Sequence, residues 1–333
     1  MHYIKRYRLK LTGINHFRHE IAVTSGIEDI ETTANYKPVI LASSQSKIFH
    51  LILRLIRKKS FLGKQLATGT FRFSCPEPPA RITKKLSVTK YQVLGRNVFT
   101  LRPENPGSLT HILYLHGGAY VQGFVRFHWS FLAYLIQETR CTVTAPDYPL
   151  APDFTCQDSF AMVLQLYRQL LLTVRPENLI IMGDSAGGGF ALGLAQVLRD
   201  ESLPQPGQLI LLSPWLDITL TNPEIALIAP GDPFLEQESL RKAGKLYAGD
   251  IPPDHPMLSP INGPLAGLGK LSIFAGSNDI LVADTRKLHL LAMSQHIQHN
   301  YYEYPQMVHA WMLLNLPESI MARAQIIHLI LQG

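Results

Sequence analysis

The chain has 333 residues, of which 46% are hydrophobic and 17% are charged, and its net charge is +6. This apolar content excludes an intrinsically disordered chain and is enough to fill the core of one large domain or two ordinary ones. The three cysteines, Cys75, Cys141 and Cys156, form no CxxC pair, which argues against a disulfide framework or a structural zinc site. No apolar run approaches the roughly 20 residues that span a bilayer, and the basic first residues are not followed by the apolar segment of a signal peptide. We therefore expect a cytoplasmic protein.

Positive charge is concentrated at the amino terminus, where residues 1–70 contain twelve Lys and Arg but four acidic residues. A basic arm of this kind can bind nucleic acid or an anionic membrane. Among its first basic residues only Tyr3 and Tyr7 offer rings on which bases could stack. We interpret the arm as a solvated flank and predict no nucleic-acid partner.

Residues 47–59 show the apolar spacing of a helix, and this segment ends in three basic residues. The apolar positions are Ile48, Phe49, Leu51, Ile52, Leu55 and Ile56. A helix with this pattern can lie on a membrane surface. We favour the alternative, in which it packs against its own domain.

A proline-rich stretch at 76–79 predicts a linker, because prolines at this density exclude a helix and disfavour a central strand. From about residue 82 onward, continuous apolar runs alternate with helical patterns, which predicts βαβ units and a mostly parallel sheet buried on both faces. Strands are predicted at 85–91, 96–102, 111–116, 141–146, 178–183, 208–213, 271–276 and 300–304. Helices are predicted near 128–139, 157–173, 186–200, 282–296 and 317–331.

The segment 216–257 does not fit this alternation. It is rich in proline, contains a predicted helix near 234–248 and lies between two predicted strands. We interpret it as an insertion over the carboxyl edge of the sheet, which is where open α/β folds bind ligands.

The strongest chemical signal is the run Gly183-Asp184-Ser185-Ala186-Gly187-Gly188. It follows a predicted strand and begins a predicted helix of small residues, which is the setting of a GxSxG nucleophile elbow. The glycines allow the tight turn and the close approach of the helix to the strand. Ser185 is therefore the expected nucleophile, and the amide of Ala186 lies at a helix amino terminus, where it can stabilise an oxyanion.

A glycine pair occurs in the run His116-Gly117-Gly118-Ala119-Tyr120, directly after a predicted strand. Such glycines let backbone N–H groups point into a cavity, and in a serine hydrolase they supply the other half of the oxyanion hole. A phosphate-binding loop is disfavoured because neither GxGxxG nor a following GK[ST] is present. We interpret His116 as a structural hydrogen-bonding residue rather than the catalytic base.

A serine nucleophile needs a histidine base and an acid that fixes its tautomer, and in this class of fold both follow the nucleophile in the chain. Asp279 and His309 each come just after a predicted strand, and this position singles them out. Asp284 is the competing acid, but it falls in the first turn of the next predicted helix, where it is interpreted as a capping charge.

The ordered set of motifs resembles the hormone-sensitive-lipase-like branch of the α/β-hydrolases, which includes many bacterial carboxylesterases. The motifs, spread over roughly residues 82–333, are HGGAY at 116–120, DYPLAP at 147–152, GDSAGG at 183–188, SPW at 213–215, GSNDIL at 276–281 and VHAW at 308–311. Two positions depart from the family pattern. Pro149 replaces a frequent Arg, which puts a family salt bridge in doubt, and Ala119 replaces a third glycine without removing its amide.

The resemblance implies an α/β-hydrolase fold in which a mostly parallel sheet of about eight strands is flanked by helices and covered by a helical cap. The basic segment 1–75 is expected to contribute to the cap, and residues 76–333 to form the catalytic domain with the cap insertion at about 216–257. The implied roles are Ser185 as nucleophile, Asp279 as acid and His309 as base. The implied oxyanion donors are Gly117, Gly118, Ala119 and Ala186.

We therefore expect a serine carboxylesterase that hydrolyses short-acyl esters through an acyl-enzyme, with neither a metal nor an organic cofactor. Tyr120 and Trp311 are expected to bind substrate and, with Phe124 and Trp129, to narrow the entrance so that short acyl chains are preferred. The expected partner is a small-molecule ester, and a homodimer is left open.

Three alternatives to this function remain at this stage. An amide or lactone hydrolase would use the same triad, and a lipase could use the 47–59 helix at a membrane. A non-catalytic binding module, like a plant hormone receptor of this fold that lacks the catalytic histidine, is disfavoured because His309 is present.

Overall fold

The structure, a computed structural model, describes residues 35–36, 42–70, 74–105 and 107–332. The basic positions of the predicted arm up to residue 37 lie outside these residues, as do Tyr3 and Tyr7. None of the described helices combines the length and the apolarity that are needed to cross a membrane.

Nine strands are described: β1 (Asn35–Tyr36), β2 (Ser87–Val93), β3 (Arg96–Arg102), β4 (His111–Leu115), β5 (Thr142–Pro146), β6 (Leu179–Asp184), β7 (Gln208–Leu212), β8 (Lys270–Gly276) and β9 (His299–Tyr304). The described α-helices are α1 (Ser44–Leu55), α2 (Phe61–Thr68), α3 (Ala80–Thr83), α4 (Arg126–Thr139), α5 (Cys156–Leu171), α6 (Ala186–Asp200), α7 (Glu224–Ile228), α8 (Gln237–Ala248), α9 (Val282–Ser294) and α10 (Pro317–Gln332). All eight predicted strands and all seven predicted helices are present, with shifted ends. The two-residue β1 and the short helices α2, α3 and α7 were not predicted.

The strands form one sheet in the order β1-β9-β8-β7-β6-β4-β5-β3-β2. β2 and β3 form an antiparallel hairpin, because Leu94 and Gly95 both take positive φ angles, of 46° and 74°, in the two-residue turn. β3 is also antiparallel to β5, and every other pairing is parallel. The carboxyl ends of β4, β6, β7, β8 and β9 therefore lie along one edge, as the alternating pattern predicted.

Helices cover both faces of the sheet, so β4, β6 and β7 are buried along their whole length. Successive side chains of a strand point to opposite faces. Leu113 and Leu211 consequently join the core formed with α5, α6 and α9, whereas Ile112 and Ile210 join the core formed with α4 and α10. Strands buried on both faces explain why the apolar runs are continuous.

The amino-terminal segment contacts the insertion that follows β7. Helix α2 packs against α8. The Arg54 guanidinium donates to the carbonyl oxygen of Pro230 at 3.1 Å, and the Lys59 ammonium donates to that of Ala229 at 2.7 Å. These contacts join the two segments from which the sequence predicts a cap.

The predicted 47–59 helix has different ends in the structure. Helix α1 begins after Ser43, whose hydroxyl oxygen accepts the N–H of Ser46 as an N-cap. It ends at Leu55, and two residues later Arg57 takes a left-handed φ of 52°, which a continuing helix cannot contain. A short 3₁₀ turn at Lys58–Ser60 then leads into α2.

Candidate active site

Ser185 lies in a sharp turn between β6 and α6. Its backbone angles are φ 55° and ψ −122°, a strained combination for a residue with a side chain. Its N–H donates to the carbonyl oxygen of Leu212 at the end of β7, at 2.8 Å. A Cβ at Gly187 would lie 2.6 Å from the carbonyl oxygen of His116, so only glycine fits where α6 approaches β4. The GxSxG pattern thus forms the predicted elbow, with Ser185 7% exposed.

The glycine loop after β4 lies directly beside this turn. A Cβ at Gly117 would be 3.0 Å from the Cβ of Ser185. The backbone then turns through positive φ angles at Gly118 (127°), Ala119 (54°) and Tyr120 (60°). This conformation redirects successive amides, as an oxyanion loop requires.

One predicted oxyanion donor is already occupied. The Gly117 N–H donates to Oδ1 of Asp184 at 2.9 Å, so we correct its expected role from donor to close-packed glycine. The amides of Gly118, Ala119 and Ala186 remain as candidates, and the last lies at the amino terminus of α6.

Asp184 connects the elbow to the glycine loop, a role that sequence reasoning missed although the residue lies within the GDSAGG motif. Besides Gly117, its Oδ1 accepts the hydroxyl of Tyr114 at 2.5 Å, and its Oδ2 lies 3.4 Å from Nε2 of His128. Burial alone would raise the pKa of this carboxyl. The nearby His128 and the hydrogen bonds outweigh burial and lower the pKa to about 2, so the carboxylate stays charged.

His116 is a buried structural side chain, in agreement with its interpretation from sequence. Its Nδ1 lies 2.8 Å from the carbonyl oxygen of Gly117, and its ring stacks on Tyr148 with centroids 4.3 Å apart. Burial, with a contribution from His128, lowers its pKa to about 3, so the ring is neutral.

The predicted acid and base meet at the carboxyl edge of the sheet. Nδ1 of His309, which follows β9, lies 2.7 Å from Oδ2 of Asp279, which follows β8. Both side chains are buried, with exposed fractions of 5% and 1%. The Ala310 N–H donates to the hydroxyl oxygen of Ser213 at 3.2 Å, next to the Leu212 carbonyl that accepts from Ser185. The three loops that carry the predicted triad are therefore neighbours.

The electrostatic surroundings favour the protonated form of His309. Burial acts to lower its pKa, but the negative charge and hydrogen bond of Asp279 outweigh burial, with smaller contributions from Asp232 and Asp184. The pKa of His309 is consequently raised above its ordinary value of about 6.5.

Asp284, the competing acid, lies apart from this hydrogen bond. Its Oδ1 accepts the side-chain amide of Asn222, in the insertion, at 2.9 Å, and it lines a separate cleft of about 640 Å³. Burial raises its pKa to about 6. It lies in the first turn of α9, as predicted from sequence, and its side chain is buried there, with an exposed fraction of 1%.

Asp232, in the insertion, is a second functional candidate that the sequence did not reveal. Its carboxylate accepts three backbone N–H groups: those of Phe234 at 2.6 Å, Leu235 at 3.0 Å and Ile280 at 2.9 Å. Ile280 directly follows Asp279, so this carboxylate connects the insertion to the loop of the predicted acid. Burial and the charge of Asp279 raise its pKa to about 6.

The aromatic side chains expected at the entrance lie in the core instead. Trp311 is fully buried, with its ring 5.0 Å from that of Tyr304. Phe124 and Trp129 stack on each other at 4.2 Å in the same core. Tyr120 stacks at 3.9 Å on Tyr247 of α8 and is 1% exposed. The substrate-binding roles expected for Tyr120 and Trp311 have no support in these contacts.

The DYPLAP segment contains an ion pair that does not involve Pro149. The Arg96 guanidinium donates to Oδ2 of Asp147 at 3.1 Å and to its carbonyl oxygen at 3.0 Å. This arginine belongs to β3 and lies outside the motif. Elsewhere, the described part of the chain contains no group of three or more His, Cys, Asp or Glu side chains placed to hold a metal ion.

Comparisons with known proteins agree with this geometry. Residues 112–313 match the family described as alpha/beta hydrolase fold. An esterase of Acinetobacter venetianus is 32% identical over 219 residues, which cover 65% of this chain and 72% of the esterase. An acetyl-hydrolase of Streptomyces hygroscopicus is 31% identical over 212 residues, which cover 63% of this chain and 71% of the relative.

A solved structure of an esterase from the bacterial hormone-sensitive lipase family superposes with a TM-score of 0.74 at 26% identity, covering 88% of this chain and 99% of that one. The family match and the relatives agree with the arrangement of residues at the carboxyl edge of the sheet. The chain belongs to the α/β-hydrolase fold family and is a carboxylic ester hydrolase of the branch similar to hormone-sensitive lipase.

Proposed function

We propose that this chain is a serine carboxylesterase that hydrolyses short-acyl esters through Ser185, His309 and Asp279. The observation that carries the proposal is the 2.7 Å contact between His309 and Asp279, on loops that neighbour the strained turn of Ser185. A buried carboxylate at Nδ1 orients the imidazole and leaves Nε2 as the atom that accepts a proton.

The chemistry follows from this arrangement. Nε2 of His309 takes the hydroxyl proton as the oxygen of Ser185 attacks the ester carbonyl, and amides of the glycine loop and α6 stabilise the oxyanion. The protonated His309 then donates its proton to the alkoxide leaving group, which departs as the alcohol. Water, deprotonated by the same imidazole, attacks the acyl-enzyme, and the proton returns to Ser185 as the carboxylic acid leaves. Asp279 keeps its charge throughout and stabilises the imidazolium.

Short acyl groups are proposed from two observations. Ser185 is only 7% exposed, and one relative is named an acetyl-hydrolase. The short-acyl proposal does not rest on the aromatic residues expected at the entrance, whose side chains are part of the hydrophobic core.

The acyl preference is tested by measuring kcat/KM for p-nitrophenyl esters of increasing acyl length. We expect activity from acetyl to hexanoyl esters in monomeric solution and a decline for longer chains, because extra methylenes strain a restricted pocket. A steady increase up to dodecanoyl, or a jump above the critical micelle concentration, would contradict the short-acyl proposal and favour a lipase. Absence of hydrolysis for every acyl length would contradict the esterase itself.

The rate should rise with pH through a value above 6.5, because His309 accepts a proton only when neutral and its pKa is raised. In the Asp232→Asn variant, this rise of the rate, which is the acid limb of the pH–rate profile, should move to lower pH. The carboxylate of Asp232 is one of the charges that raise the pKa of His309, so its removal lets the neutral imidazole persist in more acidic solution. The measurement is kcat/KM for an acetyl ester from acidic to alkaline pH.

Glu238→Gln is the matched control, since this exposed acid of α8 pairs with Lys242. Its limb should coincide with that of the parent. Asn at position 232 keeps one carbonyl oxygen but offers no second acceptor for the N–H of Ile280, so a lower kcat is also expected. A lower kcat with an unmoved limb would assign Asp232 a purely structural role.

A further inference from the structure

The solvent-facing side of α1 is apolar. Ile48, Leu51, Ile52, Leu55 and Ile56 have exposed fractions of 58%, 56%, 45%, 72% and 49%. Their spacing of i, i+3, i+4, i+7 and i+8 places them along one stripe of the helix. The sequence favoured packing of these residues against the domain, whereas the structure turns them outward.

Helix α1 is anchored by other residues, which fixes the outward direction of the stripe. At its start, the Ser43 N–H and the Ser46 hydroxyl donate to the two carboxylate oxygens of Glu318 in α10, at 2.6 and 2.5 Å. Near its end, Leu53 is 4% exposed, and the Arg54 guanidinium donates a hydrogen bond to the carbonyl oxygen of Pro230 in the insertion. The stripe is therefore presented by a helix that is attached at both ends.

The charge around the stripe indicates what can cover it. Residues 42–70 contain no acidic residue and six basic ones: Lys47, Arg54, Arg57, Lys58, Lys59 and Lys64. An apolar stripe flanked by Lys and Arg is the pattern of a helix that lies in an anionic lipid interface. A second copy of the chain is disfavoured as the partner that covers the stripe. Pairing the two stripes would bring two equally basic segments together, and their positive charges would repel each other.

We propose that α1 binds the surface of an anionic lipid bilayer, with its stripe in the interface and the exposed basic side chains of Lys47 and Arg57, which flank the stripe in the chain, against the headgroups. The proposal does not depend on which residues catalyse ester hydrolysis. It places the insertion, which α1 contacts through Pro230, at the lipid surface.

The test uses the full chain and co-sedimentation with vesicles of phosphatidylcholine, with or without phosphatidylglycerol. We expect binding to the anionic vesicles, weakened by added salt. The double variant Leu51→Gln/Leu55→Gln should lower the partition coefficient at least about tenfold, since it removes apolar surface from the interface. Its matched control is Leu109→Gln/Leu172→Gln, two leucines that are 82% and 84% exposed outside α1, and this control should bind like the parent.

Leucine and glutamine have similar helix propensities, so the stripe variant should keep the Tm of the parent and its kcat/KM on a water-soluble acetyl ester. Equal vesicle binding by the stripe variant and the parent, or no binding by the parent, would overturn the proposal. A Tm that is lowered in the stripe variant but not in the Leu109→Gln/Leu172→Gln control would show that other residues of the same chain cover the stripe. A parent dimer that the stripe variant converts to monomer in light scattering would show that a second copy does so. Either result would also overturn the proposal.

Discussion

Ser185→Ala is expected to lower kcat/KM for an acetyl ester by at least about 10⁴-fold, because the proposed acyl-enzyme forms on the Ser185 hydroxyl and members of a triad act as a unit. The strained turn should survive the change. Its backbone is held by the Ser185 N–H on Leu212 and by the glycines that pack α6 against β4, and an alanine keeps both. The measurements are steady-state kinetics, Tm and far-ultraviolet circular dichroism.

Ser294→Ala, an exposed serine on α9, serves as the control and should keep the activity of the parent. A phosphonate that labels serine hydrolases should modify the parent once and leave the Ser185→Ala variant unmodified. A folded Ser185→Ala protein with activity near that of the parent would eliminate Ser185 as the nucleophile. Labelling of the variant at another serine would identify the true one.

The parts of the site that the sequence predicted are local or depend on strand order. The elbow is local, since Gly183, Ser185 and Gly187 are contiguous with the strand and helix that they join. The positions of Asp279 and His309 depend on strand order. Both follow parallel strands, and the carboxyl ends of parallel strands share an edge, so the two residues could be placed near Ser185 without knowledge of their contacts.

The contacts that the sequence did not predict join segments far apart in the chain. The Gly117 amide donates to Asp184, 67 residues later, and this pairing decides which amides are left for an oxyanion. Asp232 accepts the N–H of Ile280, 48 residues later, from a part of the insertion that precedes its predicted helix. Neither pairing has a signature in spacing or composition.

Side-chain direction was the other source of error. Trp311 follows the predicted base at the carboxyl edge of the sheet, which places its backbone but not its ring, and the ring lies 5.0 Å from that of Tyr304 in the core. Helix α1 gave a similar error. Its apolar spacing correctly predicted a helix. The spacing does not tell which side of the helix faces the domain, because α1 is attached through Leu53 and through the hydrogen bond from Ser46 to Glu318 rather than through its apolar stripe.

Asp279→Asn and Asp284→Asn should differ sharply in activity, although each replaces a buried acid in the stretch that follows β8. For Asp279→Asn we expect kcat to fall about 10⁴-fold at neutral pH, because an amide can donate to Nδ1 of His309 and so stabilise the tautomer that carries its proton on Nε2. That tautomer cannot accept the proton of Ser185. The raised pKa of His309 should also fall in this variant, since its largest favourable contribution is lost.

Asp284→Asn, by contrast, should keep kcat within about threefold of the parent. Its carboxylate bonds to Asn222 and not to His309, and an amide at this position removes a buried charge whose burial raises its pKa to about 6. Stability should therefore hold or rise, most clearly above that pH, where the carboxylate of the parent is ionised inside the protein. The comparison is kcat and Tm of the two variants at the same mildly alkaline pH. If Asp284→Asn loses as much activity as Asp279→Asn while its Tm holds, the acid of this triad is not Asp279 alone, and the contact between Asp279 and His309 does not explain catalysis.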